Sequence, residues 1–229
     1  MKLLIDGDPF IYRSIYSVGV DADLGEVSEK FSGYISEVFE QTIPDPSPDE
    51  YTIYLTGEGN FRNEVAKSFP YKGQRPEKPY QVNPLKEFVL ANYPSVISCN
   101  EEADDLIAIE ATKMGFGNCI IASIDKDFMQ VPSLIYNPTK QQFTRVDEWS
   151  GTVFFYKQVL TGDRVDNIIG IHGIGPSKAE VILKDCTTEK ELYDACVKAY
   201  DGDVDRVIEN ARLLWLRRYE NQMWEPPND

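Results

Sequence analysis

Five short apolar runs recur along the first 137 residues, "KLLID" (2–6), "YTIYL" (51–55), "SVIS" (95–98), "NCIIAS" (118–123) and "SLIYN" (133–137). Each is bounded by turn formers and is strand-length rather than helix-length. Helical stretches fall between them at about 26–41, 83–91 and 102–114. Strands that alternate with helices specify a mostly parallel sheet with both faces covered, an α/β fold. From about residue 150 the pattern turns all-helical, with helices expected near 151–161, 175–184, 188–200 and 203–219. The expected organisation is therefore an α/β region over 1–149 and a helical region over 150–229. The Pro-rich segments "IPDPSPDE" (43–50) and "PYKGQRPEKP" (70–79) read as irregular connections, and the terminal "EPPND" as a loose end.

In a sheet of this kind ligands bind beyond the carboxyl ends of the strands, and that is where the acids lie. Asp6 ends the first run with Asp8 close by, Asp125 and Asp127 follow the fourth, and "NEEADDLIAIEA" (100–111) follows the third. That stretch puts Glu101, Glu102, Asp104 and Asp105 ahead of a buried helix. One or two acids there stabilise a helix N-terminus through its partial positive charge. Four within five residues repel one another unless a cation sits among them, and hard divalent ions take oxygen ligands of this type. Asp163 and Asp166 form a fourth group. Each group alone has a structural reading as a cap, a turn or a surface acid. Their shared placement favours a two-metal site, the arrangement that suits phosphodiester hydrolysis.

The chain has 229 residues, 42% of them hydrophobic and 12% aromatic, enough for a packed core. No apolar run approaches a membrane span, and the apolar segment at the N-terminus is too short for a signal peptide, so the expected location is the cytosol. Cys99, Cys119, Cys186 and Cys196 show no C-x-x-C pairing and read as free thiols. A net charge of −15 lacks the basic footprint that phosphate binding needs. Two segments are nevertheless locally positive: 61–80, with Arg62, Lys67, Lys72, Arg75 and Lys78, and 206–218, with Arg206, Arg212, Arg217 and Arg218. Either is an ordinary solvated face or a set of phosphate contacts.

"GIHGIGPSKAEVIL" (170–183) carries a glycine turn, Pro176 in the first turn of a helix and Lys178 one turn on. Backbone N–H groups in such a hairpin hold a phosphate without reading bases; a plain turn between packed helices is the alternative. His172, the single histidine, has no identifiable Ser or Cys partner, which removes triad chemistry. No G-x-x-x-x-G-K-[ST] run is present, so nothing points to ATP hydrolysis.

Taken in order, "LLIDGD" (3–8), "NFRNE" (60–64), "YKGQR" (71–75), "EADDLIA" (102–108), "SIDKDF" (123–128) and "GDRVDNIIGIHGIGPSKA" (162–179) resemble the 5'-3' exonuclease and flap endonuclease family, in particular its small phage members. The resemblance implies a PIN-like nuclease fold followed by a helix-hairpin-helix region. It implies two Mg2+ or Mn2+ ions held by Asp6, Glu102, Asp104, Asp105, Asp125, Asp127, Asp163 and Asp166, with Asp6 and Asp125 central to catalysis. Lys72 and Arg75 match the family's basic pair at the base of its arch or clamp, here near 61–82, and count as both catalytic and DNA-contacting. Arg62, Gly173, Gly175, Ser177 and Lys178 complete the implied DNA contacts, and the hairpin implies a K+ site. The substrates implied are duplex, nicked or 5'-flapped DNA, with RNase H activity on RNA–DNA hybrids, in the cytoplasm (the host's, for a phage-encoded protein).

The chain departs from the family in one place. An aspartate commonly follows the second strand, where this sequence has Thr56, Gly57 and Glu58 in "YLTGEG". Either Glu58 reaches inward or one ligand is missing, and a missing ligand leaves open a catalytically weak DNA-binding protein of the same fold. A PIN-like ribonuclease is a third reading, although it has little use for a duplex-gripping hairpin. The sequence between "YKGQR" and the next acids is short, which implies a short clamp.

Overall fold

The computed structural model describes residues 1–228; Asp229, the last residue of the "EPPND" end, lies outside the described residues. The chain runs β1 (Lys2–Asp6), α1 (Gly7–Val18), α2 (Leu24–Gln41), β2 (Tyr51–Glu58), α3 (Arg62–Val65), α4 (Val82–Asn92), β3 (Ser95–Cys99), α5 (Ala103–Met114), β4 (Cys119–Ala122), a 3-10 turn (Lys126–Gln130), β5 (Ser133–Asn137), β6 (Gln142–Val146), α6 (Glu148–Thr161), a two-residue pair β7 (Gly162–Asp163) and β8 (Ile168–Ile169), then α7 (Pro176–Leu183), α8 (Glu189–Ala199) and α9 (Val204–Leu214). The six-stranded sheet has the order β3-β2-β1-β4-β5-β6. All neighbours are parallel except β6, which returns antiparallel on β5. Because β1 lies between β2 and β4, the chain winds outward from it in both directions. That reversal opens a crevice at the carboxyl ends of β1 and β4.

The central strands β1, β2 and β4 are apolar on both faces, as a sheet covered on both sides requires. Leu3, Ile5 and Ile53 face α1, α2 and α4 in one core, while Leu4 and Ile121 face α5 in another. A third core gathers α6 to α9 around Phe155, Tyr156 and Trp224. Trp224 is 5% exposed, so the segment leading into the expected loose end is packed. No helix of the described residues is long and apolar enough to cross a membrane.

Three local expectations change. α1 has no counterpart in the expected elements: its apolar Phe10, Ile11 and Ile15 begin only four residues after a strand, within "GDPFIYRSIYSV". Gly7 admits the tight strand-to-helix junction, since a Cβ there would stand 2.7 Å from Ile53 and Leu55. β6, "QFTRV", is mostly exposed and carries little apolar signal. The last helix stops at Leu214 rather than 219, because its terminal carbonyls are taken by tertiary partners. Arg62 Nε donates to Leu213 O at 2.9 Å, Gln130 Nε2 to Leu214 O at 2.8 Å and Arg62 Nη2 to Trp215 O at 2.9 Å.

Candidate functional site

The crevice at the strand ends widens into a cleft of 730 Å³. Eight carboxylates line it: Asp6, Asp8, Glu102, Asp104, Asp125, Asp127, Asp163 and Asp166. Asp6, 2% exposed, ends β1 and accepts a hydrogen bond from Ser123 Oγ at 2.6 Å. The Ser123 hydroxyl in turn accepts from Asp125 N–H at 2.9 Å, and Asp125 Oδ1 accepts from Asp127 N–H at 2.8 Å. This chain of bonds sets the "SIDKDF" loop against β1. Glu102 is the N-cap of α5 and accepts from Tyr71 OH at 2.8 Å and from Lys72 Nζ. Asp163 Oδ1 accepts from Val165 N–H at 2.7 Å, which folds "GDRVDN" so that Asp166 also faces the cleft.

Their electrostatics divide into two groups. Burial pushes Asp6 and Asp104 well above the ordinary carboxylate value, and neighbouring acids add to it. Burial also raises Asp125, and with the adjacent Asp125 charge it pushes Asp127 up to about 7. Burial would raise Glu102 too, but Lys72 and Arg62 outweigh it and hold Glu102 below its usual value. Lys126 does the same for Asp163. Among the described residues no three carboxylates already stand in a chelating group; Lys72 lies between Glu102 and Asp166, and Lys126 between Asp127 and Asp163. The donor set nonetheless fits hard divalent ions: it is all oxygen, and its mutual repulsion is what such a charge relieves.

The raised values, set first by burial and then by repulsion, have a measurable consequence. Between the unfolded carboxyl value near ~4 and the raised folded values, the metal-free native protein binds protons that the unfolded chain has released. Stability therefore falls as pH rises through that window. Glu102, Asp163 and Asp105, all lowered, act in the opposite sense, but their contribution is lost only below about 4. In EDTA, thermal melting is expected to be higher at pH 5.5 than at pH 8, and Mg2+ at pH 8 is expected to remove most of the difference. A melting temperature that rises with pH in EDTA would contradict this assignment.

Two of the residues expected in the site are elsewhere. Asp105 is fully buried beneath α5, where its two oxygens take Arg62 Nη1 at 2.6 Å and Arg62 Nη2 at 2.9 Å, and its Oδ1 also accepts from Arg217 N–H at 3.1 Å. Arg62, 1% exposed, is consequently a core cation, and its burial argues against the expected DNA contact. The locally positive 206–218 segment is also neutralised internally. Arg206 meets Glu209 at 3.1 Å, Arg212 meets Glu225 at 2.6 Å and Arg217 meets Glu101 at 3.0 Å, while Arg218 is buried. The 61–80 segment does face the cleft with Lys72, Arg75 and Lys78. Its part beyond α3 forms the short connection to α4, stapled to the "GDRVDN" loop by Lys72 N–H to Asp166 O at 2.9 Å and Asn167 Nδ2 to Pro70 O at 2.9 Å. Gly173, Gly175, Ser177 and Lys178 are exposed at the start of α7, and Lys178 Nζ donates to Gly173 O at 2.8 Å.

Sequence reasoning notes Asp8 beside Asp6 without placing it among the ligands, and misses three further residues that line the cleft as neighbours of these acids: Tyr71, Lys86 and Lys126. Asp8, Tyr71 and Lys126 sit inside quoted motifs and were within reach. Lys86, on α4, had no local signal. At the end of β2, Glu58 is exposed and the cleft wall is formed instead by Thr56, Gly57 and Gly59. A Cβ on Gly57 would stand 2.1 Å from Ser98 O, so no side chain fits at that position.

The family model for the 5'-3' exonuclease N-terminal resolvase-like domain matches residues 1–151. A 5'-3' exonuclease of Aquifex aeolicus is 31% identical over 199 residues, covering 79% of this chain and 68% of that protein. The flap endonuclease Xni of Shewanella halifaxensis is 25% identical, with 93% of this chain and 89% of the relative aligned. Among solved structures, the T5 D15 protein co-crystallised with metal ions superposes with a TM-score of 0.74 at 14% identity, covering 93% of this chain and 88% of that one. That last likeness concerns the fold: the same mostly parallel sheet flanked by helices. With the family model spanning most of the α/β region and a relative above 30% identity, the chain belongs to the 5'-3' exonuclease and flap endonuclease family of nucleases.

Proposed function

We propose that the protein hydrolyses phosphodiester bonds at or near the 5' ends of duplex, nicked or flapped DNA, and RNA paired with DNA, in a reaction that depends on Mg2+ or Mn2+. The observation that carries this reading is the cleft itself: eight carboxylates facing Lys72, Arg75, Lys78 and Lys126 at the carboxyl ends of one sheet. Asp6, Glu102, Asp104, Asp125, Asp127, Asp163 and Asp166 are the residues that would hold the ions. When bound, divalent ions supply Lewis acidity, making a water more acidic and stabilising the leaving oxygen.

The protein's own groups do the positioning. Lys72 and Arg75 pair with Glu102 and Asp166; were those carboxylates to hold ions instead, the two cations would be free to meet a substrate phosphate. The backbone N–H groups at the start of α7, with Ser177 and Lys178, suit a duplex phosphate, and a monovalent cation such as K+ would be held there by carbonyl oxygens of the hairpin. Lys178→Ala is expected to weaken duplex binding evenly across sequences and to reduce the magnitude of the log–log salt slope by about 1; titration at several salt concentrations measures both. An unchanged slope would remove Lys178 from the contact.

Nicked, flapped and blunt duplexes labelled at the 5' end, incubated with Mg2+, Mn2+ or EDTA, test the whole reading. Short 5' products that require metal are expected. Structure-specific binding without products in any metal would favour a non-catalytic DNA-binding protein, and cleavage of single-stranded RNA alone would favour a ribonuclease.

A further inference from the structure

We propose that Asp8 supplies, from the first turn of α1, the carboxylate that the end of β2 lacks, acting as an oxygen donor to a divalent cation in the cleft. The inference rests on the metal-dependent reading above and concerns a residue outside the eight that the sequence pattern selects.

The end of β2 cannot provide the donor itself. Gly57 has no room for a side chain against Ser98 O, Glu58 is exposed, and Thr56 Oγ1 is occupied in accepting from Ala103 N–H at 3.0 Å at the start of α5. Asp8 reaches across to the same place. Its Oδ2 accepts from Thr56 N–H at 3.0 Å, so the carboxylate lies against the last turn of β2 while its residue belongs to α1. It lines the cleft with Asp6 and Asp104, and its charge is among those that raise Asp6. Its side chain is 21% exposed, so part of it is open to the cleft. A carboxylate has about four lone-pair sites, and one N–H and one ammonium leave others for a metal ion or a metal-held water.

The ammonium is that of Lys86. It stands 2.8 Å from Asp8 Oδ1, also donates to Thr56 O, and belongs to a residue 8% exposed. It orients Asp8 against β2 from the neighbouring helix α4. It also supplies the competing explanation, that Asp8 is present only to neutralise Lys86.

Mn2+ binding to the full chain, followed by titration calorimetry and by electron paramagnetic resonance, separates the two. Asp8→Asn alone is ambiguous, because it leaves the Lys86 charge unbalanced beside the site. The double variant Asp8→Asn/Lys86→Met keeps the wild-type net charge. It is expected to bind Mn2+ about tenfold or more weakly at one site. Asp8→Glu, which preserves the charge and the lysine partner but displaces the oxygens by one methylene, is expected to weaken the same site and serves if the double variant does not fold. Wild-type Mn2+ affinity in the double variant, or in Asp8→Glu where only that variant folds, overturns the assignment and leaves the nuclease reading standing. Wild-type protein that binds no Mn2+ overturns both.

Discussion

Asp125→Asn is expected to lower the single-turnover rate on 5'-labelled duplex DNA in saturating Mg2+ by about 10³-fold, taking a Lewis acid as contributing several kcal/mol and ~1.4 kcal/mol as a factor of ten. The fold should survive the change. Asn retains the side-chain oxygen that accepts the Asp127 N–H at 2.8 Å, so the 3-10 turn after β4 keeps its cap. What is lost is one negative charge in a group with Asp127 and Asp163, the charges through which these residues influence one another. Melting in EDTA near pH 8 should rise slightly, because that repulsion is relieved. A variant that cleaves at the wild-type rate would place the chemistry elsewhere in the cleft.

The second large effect concerns stability. Arg62→Met is expected to destabilise the protein by about 3–5 kcal/mol, the cost of breaking a buried ion pair by removing one partner. Asp105, fully buried, would keep only the backbone donors of Arg217 and Glu102, and the carbonyls of Leu213 and Trp215 would lose theirs. Urea denaturation followed by circular dichroism measures this. The same variant separates the two readings of Arg62: a DNA-contacting arginine would lower duplex affinity with little change in stability, the reverse of what its burial implies.

Arg62 and Asp105 also mark the limit of motif reasoning. In the strings "NFRNE" and "EADD" both look like site residues, since one is basic beside a clamp and the other is the last of a run of carboxylates. α5 decides otherwise. Asp104 and Asp105 are adjacent on a helix, so their side chains point about 100° apart; Asp104 turns to the cleft and Asp105 turns inward to the capping box and Arg62. The arginines of 206–218 follow the same logic. Arg206 pairs locally with Glu209, but the acidic partners of Arg212 and Arg217, Glu225 and Glu101, lie beyond the expected helix or distant in sequence, so the segment reads as positive although the fold neutralises these three.

Strand positions were legible because short apolar runs between turn formers have few other uses, and β1 and β5 fall on the expected residues. The carboxylates Asp6, Glu102, Asp104, Asp125 and Asp127 were legible as a set because a parallel sheet collects whatever follows its strands at one edge, whereas Asp163 and Asp166 follow α6 and reach the same edge through the tertiary fold. Those two properties depend on local pattern and on a general rule of α/β topology, and the sequence by itself determined them. Tertiary structure alone decided which way each acid turned, where α9 ended, and which cations were left facing the cleft. It also brought Lys86 and Asp8 to the end of β2. Each of these depends on partners far apart in the chain, meeting only after α1, α4 and the tail beyond α9 have packed, and no window of sequence contains both members of the pair.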